Sequence, residues 1–312
     1  MQVTVVGAGV VGLTAAVALT EAGHDVRVIA RATGDATTSA VAGAIWLPFE
    51  VGPADAVIRW ATRTRVWLEE LARSIPAAGV DVLEVVHAEA ADAPPPFWAA
   101  AVPAVQRVTA PFPGAPAAYG FRAPRVDPRL HLPWLTAQLA RPIEIADVAR
   151  LAEVPGDAVV NATGLGARPL TGDDALAARY GQVRVTAPGA LDLGVTLSDD
   201  RDPDAMFYVI PRAARAGFAA EVVIGGCALP RPDHDPLAVD AAIDARIARQ
   251  AQALDRAPGA LVRTRAGLRP WRPTVRLERD PDDPRVIHDY GHGGGGYTLA
   301  RGCAEDVVAL LA

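Results

Sequence analysis

The chain opens on an apolar run, Val3 to Val6, that passes without a gap into Gly7-Ala8-Gly9-Val10-Val11-Gly12. Leu13 to Ala22 follows with almost no polar position, the pattern of an Ala-rich helix buried all round, and Gly23 stops it. Val26 to Ala30 is a second short apolar run. Strand, glycine turn, helix and strand in that order predict a βαβ unit. Residues 31–50 lose the periodicity in Ala36-Thr37-Thr38-Ser39 and Trp46-Leu47-Pro48, and are expected to form a loop.

Further along, Val57, Trp60, Ala61, Thr64, Trp67, Leu68 and Leu71 recur at helical spacing and predict an amphipathic helix over 54–74. From 80 to 126 the pattern shortens to strand-like runs: Val80 to His87, Val105 to Thr109 and Ala118 to Arg122. Pro94-Pro95-Pro96 and Pro111 to Pro116 separate them. Pro128 to Leu139 reads as helix, and Ala158 to Gly164 as a buried strand ending in a glycine turn. A second β-rich tract spans 182–226, an amphipathic helix is expected from Leu237 to Leu254, and Val286-Ile287-His288 is a last strand. Leu299, Cys303, Val307 and Leu310 stripe a final helix. Parallel βαβ material at both ends and in the middle, with β tracts between, predicts two domains that interleave along the chain.

Composition narrows the chemistry. The 312 residues contain no Lys, so all 30 cations are Arg, and Schiff-base, P-loop and general-base lysines are excluded. A net charge of −6 without a basic block argues against nucleic acid as partner. No apolar run approaches the roughly 18 residues of a membrane span. Two cysteines, no leader-like start and no peroxisomal C-terminal tripeptide fit a soluble cytoplasmic protein.

Two glycine loops carry the candidate chemistry. In the first, Gly7 makes the tight turn, Gly9 admits a pyrophosphate to the backbone, and Gly12 lets helix pack on strand. The helix N-terminus behind it offers free N–H groups and positive dipole. FAD and NAD(P) both fit this loop; Arg31 stands where a ribose-binding acid is usual and could meet a 2′-phosphate. The second loop, Gly291-His292-Gly293-Gly294-Gly295-Gly296-Tyr297, also opens a helix. Four consecutive glycines are entropically costly unless backbone must approach a ligand. Anion-binding loops at opposite ends of one chain suggest a long cofactor across both. His288 and His292 are read as structural and no metal is expected. Asp233-His234-Asp235 is read as a solvated loop, and Cys227 and Cys303 as small core residues.

The stretch VIHDYGHGGGGYTLARGCA at 286–304 resembles the signature of the FAD-dependent D-amino acid oxidase family. GAGVVG, TTSAVAGAIWLPF at 37–49, VVNATG at 159–164, YGQV at 180–183, FYVIPR at 207–212 and GLRPWRPTVRLERD at 267–280 match in the same order. The resemblance implies an α/β chain in which a Rossmann-like FAD domain (1–50, 140–185 and 265–312) interleaves with an antiparallel-sheet substrate domain (51–139 and 186–264). It implies non-covalent FAD and oxidative deamination of D-amino acids by oxygen to 2-oxo acids, ammonia and hydrogen peroxide; the sequence leaves the oligomeric state open, with a homodimer as one candidate. By this resemblance Arg269 grips the substrate carboxylate, Tyr208 hydrogen-bonds it, and the Gly294 carbonyl receives the amine. The expected cofactor residues are Gly7 to Gly12 (with Ala8, Gly9, Val10 and Val11), Arg31, Thr37, Thr38, Gly43, Ala44, Ile45, Gly164, Gly293, Gly295, Gly296, Tyr297 and Thr298. Guanidinium geometry suits a bidentate carboxylate contact that Lys could not copy.

The sequence departs from the family pattern at the pocket. Leu47 stands where glutamine is common, and Asp204 with apolar Phe207 where a second active-site tyrosine is common, which leans the expected substrate towards neutral or apolar side chains. Ala228 follows Gly225-Gly226-Cys227, so a D-aspartate-type pocket would need another cation, for which Arg212 is the candidate. A glycine or N-methyl amino acid oxidase, and a flavin-binding protein without turnover, are the alternatives.

Overall fold

A computed structural model describes residues 1–109, 116–202, 204–230 and 237–312. The Pro111–Pro116 break falls largely, and Asp233-His234-Asp235 wholly, outside the described residues. The strands in chain order are β1 (Gln2–Val6), β2 (Asp25–Ala30), β3 (Val80–Glu89), β4 (Gln106–Val108), β5 (Ala117–Val126), β6 (Glu144–Ile145), β7 (Ala158–Asn161) and β8 (Ala177–Thr186). They continue with β9 (Val195–Asp199), β10 (Phe207–Arg212), β11 (Glu221–Gly225), β12 (Leu229–Pro230), β13 (Leu261–Arg279) and β14 (Val286–His292). The helices are α1 (Val10–Glu21), α2 (Thr38–Val41), α3 (Ala54–Ser74), α4 (Pro128–Ala137), α5 (Ala167–Thr171), α6 (Ala241–Gln252) and α7 (Gly296–Leu311).

The strands form one continuous sheet in the order β4-β5-β3-β9-β10-β11-β8-β13-β14-β7-β1-β2-β6, with β12 paired to β8. From β14 to β6 the pairings are parallel. From β8 to β4 they are antiparallel except β3–β9, which is parallel and so departs from a purely antiparallel substrate sheet. The long strand β13 joins the two regions, pairing with β8 over Leu261–Trp271 and with β14 over Trp271–Arg279. Its ladder to β14 shifts register between Trp271 and Arg276. Three sequence expectations move. Residues 31–50 are not all loop, since Thr38–Val41 forms a helical turn. The 237–254 helix is shorter, because the Asp240 carboxylate caps it by accepting from Ala242 and Ile243 N–H. The β13 strand was not legible as one element.

The core follows the uniform apolarity of α1. Val3, Val5, Leu13, Leu19, Val28 and Ile287 pack in one cluster with Leu299, Cys303 and Val307 of α7. Ala15 and Ala18 meet Ala304, so small side chains let α1 and α7 approach. Where α7 crosses α3, a Cβ on Gly302 would lie 2.3 Å from Trp60 Cα, and the crossing requires glycine. Cys303 belongs to this packing; Cys227 is buried elsewhere, and both are free thiols. Among the described residues no helix is long and apolar enough to cross a membrane.

Candidate active site

The parallel strands β1, β7, β14 and β2 all end on one side of the sheet, where the loops following them surround a cavity of about 970 Å³. Crevices at the carboxyl ends of parallel strands are where open α/β sheets bind ligands. The wall includes Gly7 to Val11 after β1, Arg31 after β2, Gly164 after β7, and Gly293, Gly294, Gly296 and Tyr297 after β14. Thr37, Thr38, Gly43, Ala44, Ile45 and Leu47 supply a further side.

The first loop is shaped by contacts that forbid side chains. A Cβ on Gly7, whose φ is +121°, would lie 2.3 Å from the Ala162 carbonyl oxygen, and one on Gly12 would lie 2.1 Å from the Gly7 oxygen. Gly12 therefore packs helix on strand and stays out of the cavity wall. Gly9 differs, since a Cβ there would meet only the Ser39 Oγ, at 3.1 Å, and it caps α1 without a side-chain hydrogen bond. Ser39, unnoticed in sequence, accepts from Val10 N–H at 2.9 Å, and its carbonyl accepts from Tyr297 Oη–H at 3.0 Å. One serine thus links both glycine loops to α2.

Ala44 takes a left-handed φ of 62°, unfavourable for a residue with Cβ. The neighbouring chain holds it there: the Ala44 carbonyl accepts from Val126 N–H, and Trp46 N–H donates to Pro124. Thr298 is buried and lies outside the cavity wall. Its hydroxyl accepts from Leu47 N–H at 3.2 Å and donates to the Leu47 carbonyl at 3.1 Å. Thr298 and Gly295, the α7 cap, thus support the wall from behind.

Arg269 and Tyr208 come from different strands and meet at one end of the cavity. Arg269 Nη1 donates to the Cys227 carbonyl at 2.5 Å, which aims the guanidinium. Tyr208 feels the Arg269 charge, while burial pushes its hydroxyl above the ordinary phenol value. Tyr208 is therefore a neutral O–H donor at physiological pH. Gly294 lies beside the arginine, since a Cβ there would be 3.7 Å from Arg269 Cδ. Three glycines that sequence reading passed over make room. A Cβ on Gly181 would sit 2.4 Å from Arg269 Nη1, and Cβ atoms on Gly225 and Gly226 would meet the Tyr208 ring at 2.2 and 3.1 Å. The signal was present in YGQV and GGCA, but only the register Gly267↔Gly181 and Tyr208↔Gly225 says what those glycines face.

Arg212 does not serve as a free pocket cation. It is buried, with Nη1 on Glu221 at 2.9 Å and Nη2 on the Ala42 carbonyl at 2.8 Å, so it braces the 42–45 segment. Asp204 is exposed at the tip beyond β9 and lies outside the wall. Instead Ser198, Asp200 and Met206 line this end beside Tyr208. His288 and His292 do not converge: His288 Nε2 meets Asp280 at 2.8 Å and its Nδ1 meets Asn161 at 3.2 Å, whereas His292 faces Asp289. Asp289, His292 and Cys303 bring one potential ligand atom each within 4.8 Å.

The wall suits a dinucleotide that is polar along its length. Among the described residues neither carboxylate oxygen of fully buried Asp289 receives a hydrogen bond, the approach of His292 Nε2 at 3.3 Å not making one, and Asp289 lines the cavity. A ligand rich in hydroxyl groups satisfies such an acceptor, as an anionic one suits the N-termini of α1 and α7, whose cap residues Gly9 and Gly295 carry no side chain.

The family model described as "FAD dependent oxidoreductase" matches residues 2–310. A D-amino-acid oxidase of Rubrobacter xylanophilus is 38% identical, over 99% of this chain and 95% of that protein. One of Streptomyces coelicolor is also 38% identical, over 99% of this chain and 96% of the other. Among solved structures, glycine oxidase from Geobacillus kaustophilus superposes with a TM-score of 0.80 at 17% identity, covering 99% of this chain and 94% of that one.

Proposed function

Because the chain belongs to the FAD-dependent oxidoreductase family, we propose that it oxidises D-amino acids to 2-oxo acids, ammonia and hydrogen peroxide. The observation that carries this reading is the convergence of Arg269, Tyr208 and Gly294 at one end of the cavity that the two glycine loops border. An α-amino acid offers a carboxylate and an amine on one carbon, and this end offers a partner for each. Arg269 binds the carboxylate through its planar fork. Tyr208, held as a neutral hydroxyl by burial, donates a second hydrogen bond to it. The Gly294 carbonyl accepts from the amine and so favours a substrate whose nitrogen lone pair is available as the Cα–H bond breaks. Among these residues no general base is needed; the chain binds and orients.

Gly7 to Val11, Arg31, Thr37, Thr38, Gly43 to Ile45, Gly164, Gly293, Gly296 and Tyr297 would hold FAD, with Gly12, Gly295 and Thr298 behind them. Bound FAD supplies the acceptor for the hydride from Cα and returns the electrons to oxygen as hydrogen peroxide. The imino acid then takes up water to release ammonia and the 2-oxo acid. On this reading the cofactor domain and the substrate domain meet at this end. Two unpaired, buried cysteines suit a reducing compartment such as the cytoplasm.

Anaerobic mixing of the yellow holoenzyme with D- or L-alanine tests the assignment. D-alanine is expected to bleach the flavin and L-alanine to leave it oxidised. Bleaching by glycine or sarcosine but not by D-alanine would overturn it.

A further inference from the structure

Asp200 joins Tyr208 in the wall of the cavity. On β10 the alternation is clean: Phe207 and Val209 pack with Ile247 and Ala251 of α6, whereas Tyr208 and Ile210 pack on the opposite side with Val183 and Val185. β9 runs antiparallel beside it with Ser198 opposite Tyr208 and Asp199 opposite Phe207. Ser198 therefore shares the Tyr208 side, and Asp200, just past the end of β9, meets His87, the β3 residue paired with Ser198. Ser198, Asp200 and Met206 all line the cavity that Arg269 closes. Asp199 points to the other face, where it pairs with Arg201.

The charge on Asp200 is incompletely balanced. Its carboxylate lies 3.3 Å from His87 Nε2, but the same nitrogen lies 3.4 Å from Glu89. One imidazole, charged or not, faces two carboxylates. Arg246 reaches this region from α6 but donates to the carbonyls of Ala205 and Gly226. Burial raises the Asp200 carboxyl above the ordinary carboxylate range, with the Asp199 charge adding to it and His87 opposing it. A cation delivered into the cavity reverses that penalty.

On the reading that Arg269 grips an α-carboxylate, we propose that Asp200 is a specificity-determining residue and that the cavity selects D-amino acids with a cationic side chain. A three- or four-carbon stem carries a terminal ammonium away from the α-carbon that Arg269 and Tyr208 fix, into the wall where Asp200 stands past the end of β9. Leu47, Met206 and Ile210 in the same wall suit the aliphatic part of that stem. An acidic side chain would meet Asp200 as a like charge.

D-ornithine and D-norleucine have the same stem and differ in the terminal group, ammonium against methyl, so their kcat/KM ratio reads the charge alone. The wild-type holoenzyme is expected to favour D-ornithine at least tenfold. Asp200→Asn is expected to lower that ratio about tenfold. Preference for D-norleucine in the wild type overturns the proposal without any variant, and so does an unchanged ratio in Asp200→Asn. The two readings fail separately. If no D-amino acid reduces the flavin, the oxidase assignment falls. If D-norleucine is oxidised and D-ornithine is not preferred, only the role of Asp200 falls.

Discussion

The guanidinium of Arg269 works only because two neighbouring residues leave it space and direction. The Cys227 carbonyl orients Nη1, and Gly181 lacks the Cβ that would sit 2.4 Å from it. Losing the guanidinium in Arg269→Leu removes two charge-assisted hydrogen bonds, about 3–5 kcal/mol, or more than a hundredfold in kcat/KM for every D-amino acid. Gly181→Ala makes a sharper test. The clash falls on the far end of a flexible side chain, so the fold tolerates it while the guanidinium is displaced. KM is expected to rise roughly tenfold with flavin binding and melting temperature close to wild type. Unchanged steady-state kinetics in Gly181→Ala would show that the arginine does not need its observed position. This residue scale was the least legible in the sequence. Arg269 and Tyr208 stand out within motifs, but Gly181, Gly225, Ser39 and Asp200 acquire roles only from the register that sets them opposite something else. Arg212 misled for the same reason: its partner, Glu221, lies across a strand pair that one-dimensional spacing does not reveal.

Elements with strong periodicity were readable. The α3 helix, read from its apolar stripe, ends where that stripe ends, and β1–α1–β2 follows directly from apolar runs and glycines. By contrast β13 contains Pro270 and Pro273 and several arginines, and changes partner midway, so neither alternation nor a continuous apolar run marks it. Helix α4 carries its own pH-dependent load. His131 is fully buried, stacks on Trp134 at 5.5 Å, meets the edge of Trp67 at 5.9 Å, and donates through Nδ1 to the Ala78 carbonyl at 2.9 Å. Burial lowers its pKa from 6.5 to about 4. The unfolded chain therefore binds a proton first as the medium is acidified. The stability contributed by neutral His131 is present above pH 6.5 and is lost as pH falls towards 4, by about 3 kcal/mol in full. In His131→Asn, the melting temperature is expected to fall less steeply than wild type between pH 6.5 and 4.5, although the variant starts lower for lost packing. Parallel slopes for the two proteins would remove His131 from the acid response.

At the scale of the whole molecule, the cavity gathers the first strand, the 37–47 segment, the turn after β7, the middle of β13 and the start of the last helix. Short runs of consecutive residues meet there from positions hundreds of residues apart. A cofactor bound across both glycine loops touches nearly every part of the fold, and its binding free energy is therefore folding free energy, since the unfolded chain holds no such cavity. Each tenfold rise in free FAD above its dissociation constant adds about 1.4 kcal/mol, which for a chain of this size corresponds to roughly 2 °C in melting temperature. Protein stripped of flavin is expected to melt in one transition below the holoenzyme, with the midpoint climbing on that slope as FAD is returned. A single site spanning both halves raises the whole transition. If instead the scan splits, with one part moving under FAD and another standing still, the antiparallel region around β3 and β5 folds independently of the cofactor, and β13 does not couple the two halves of the sheet.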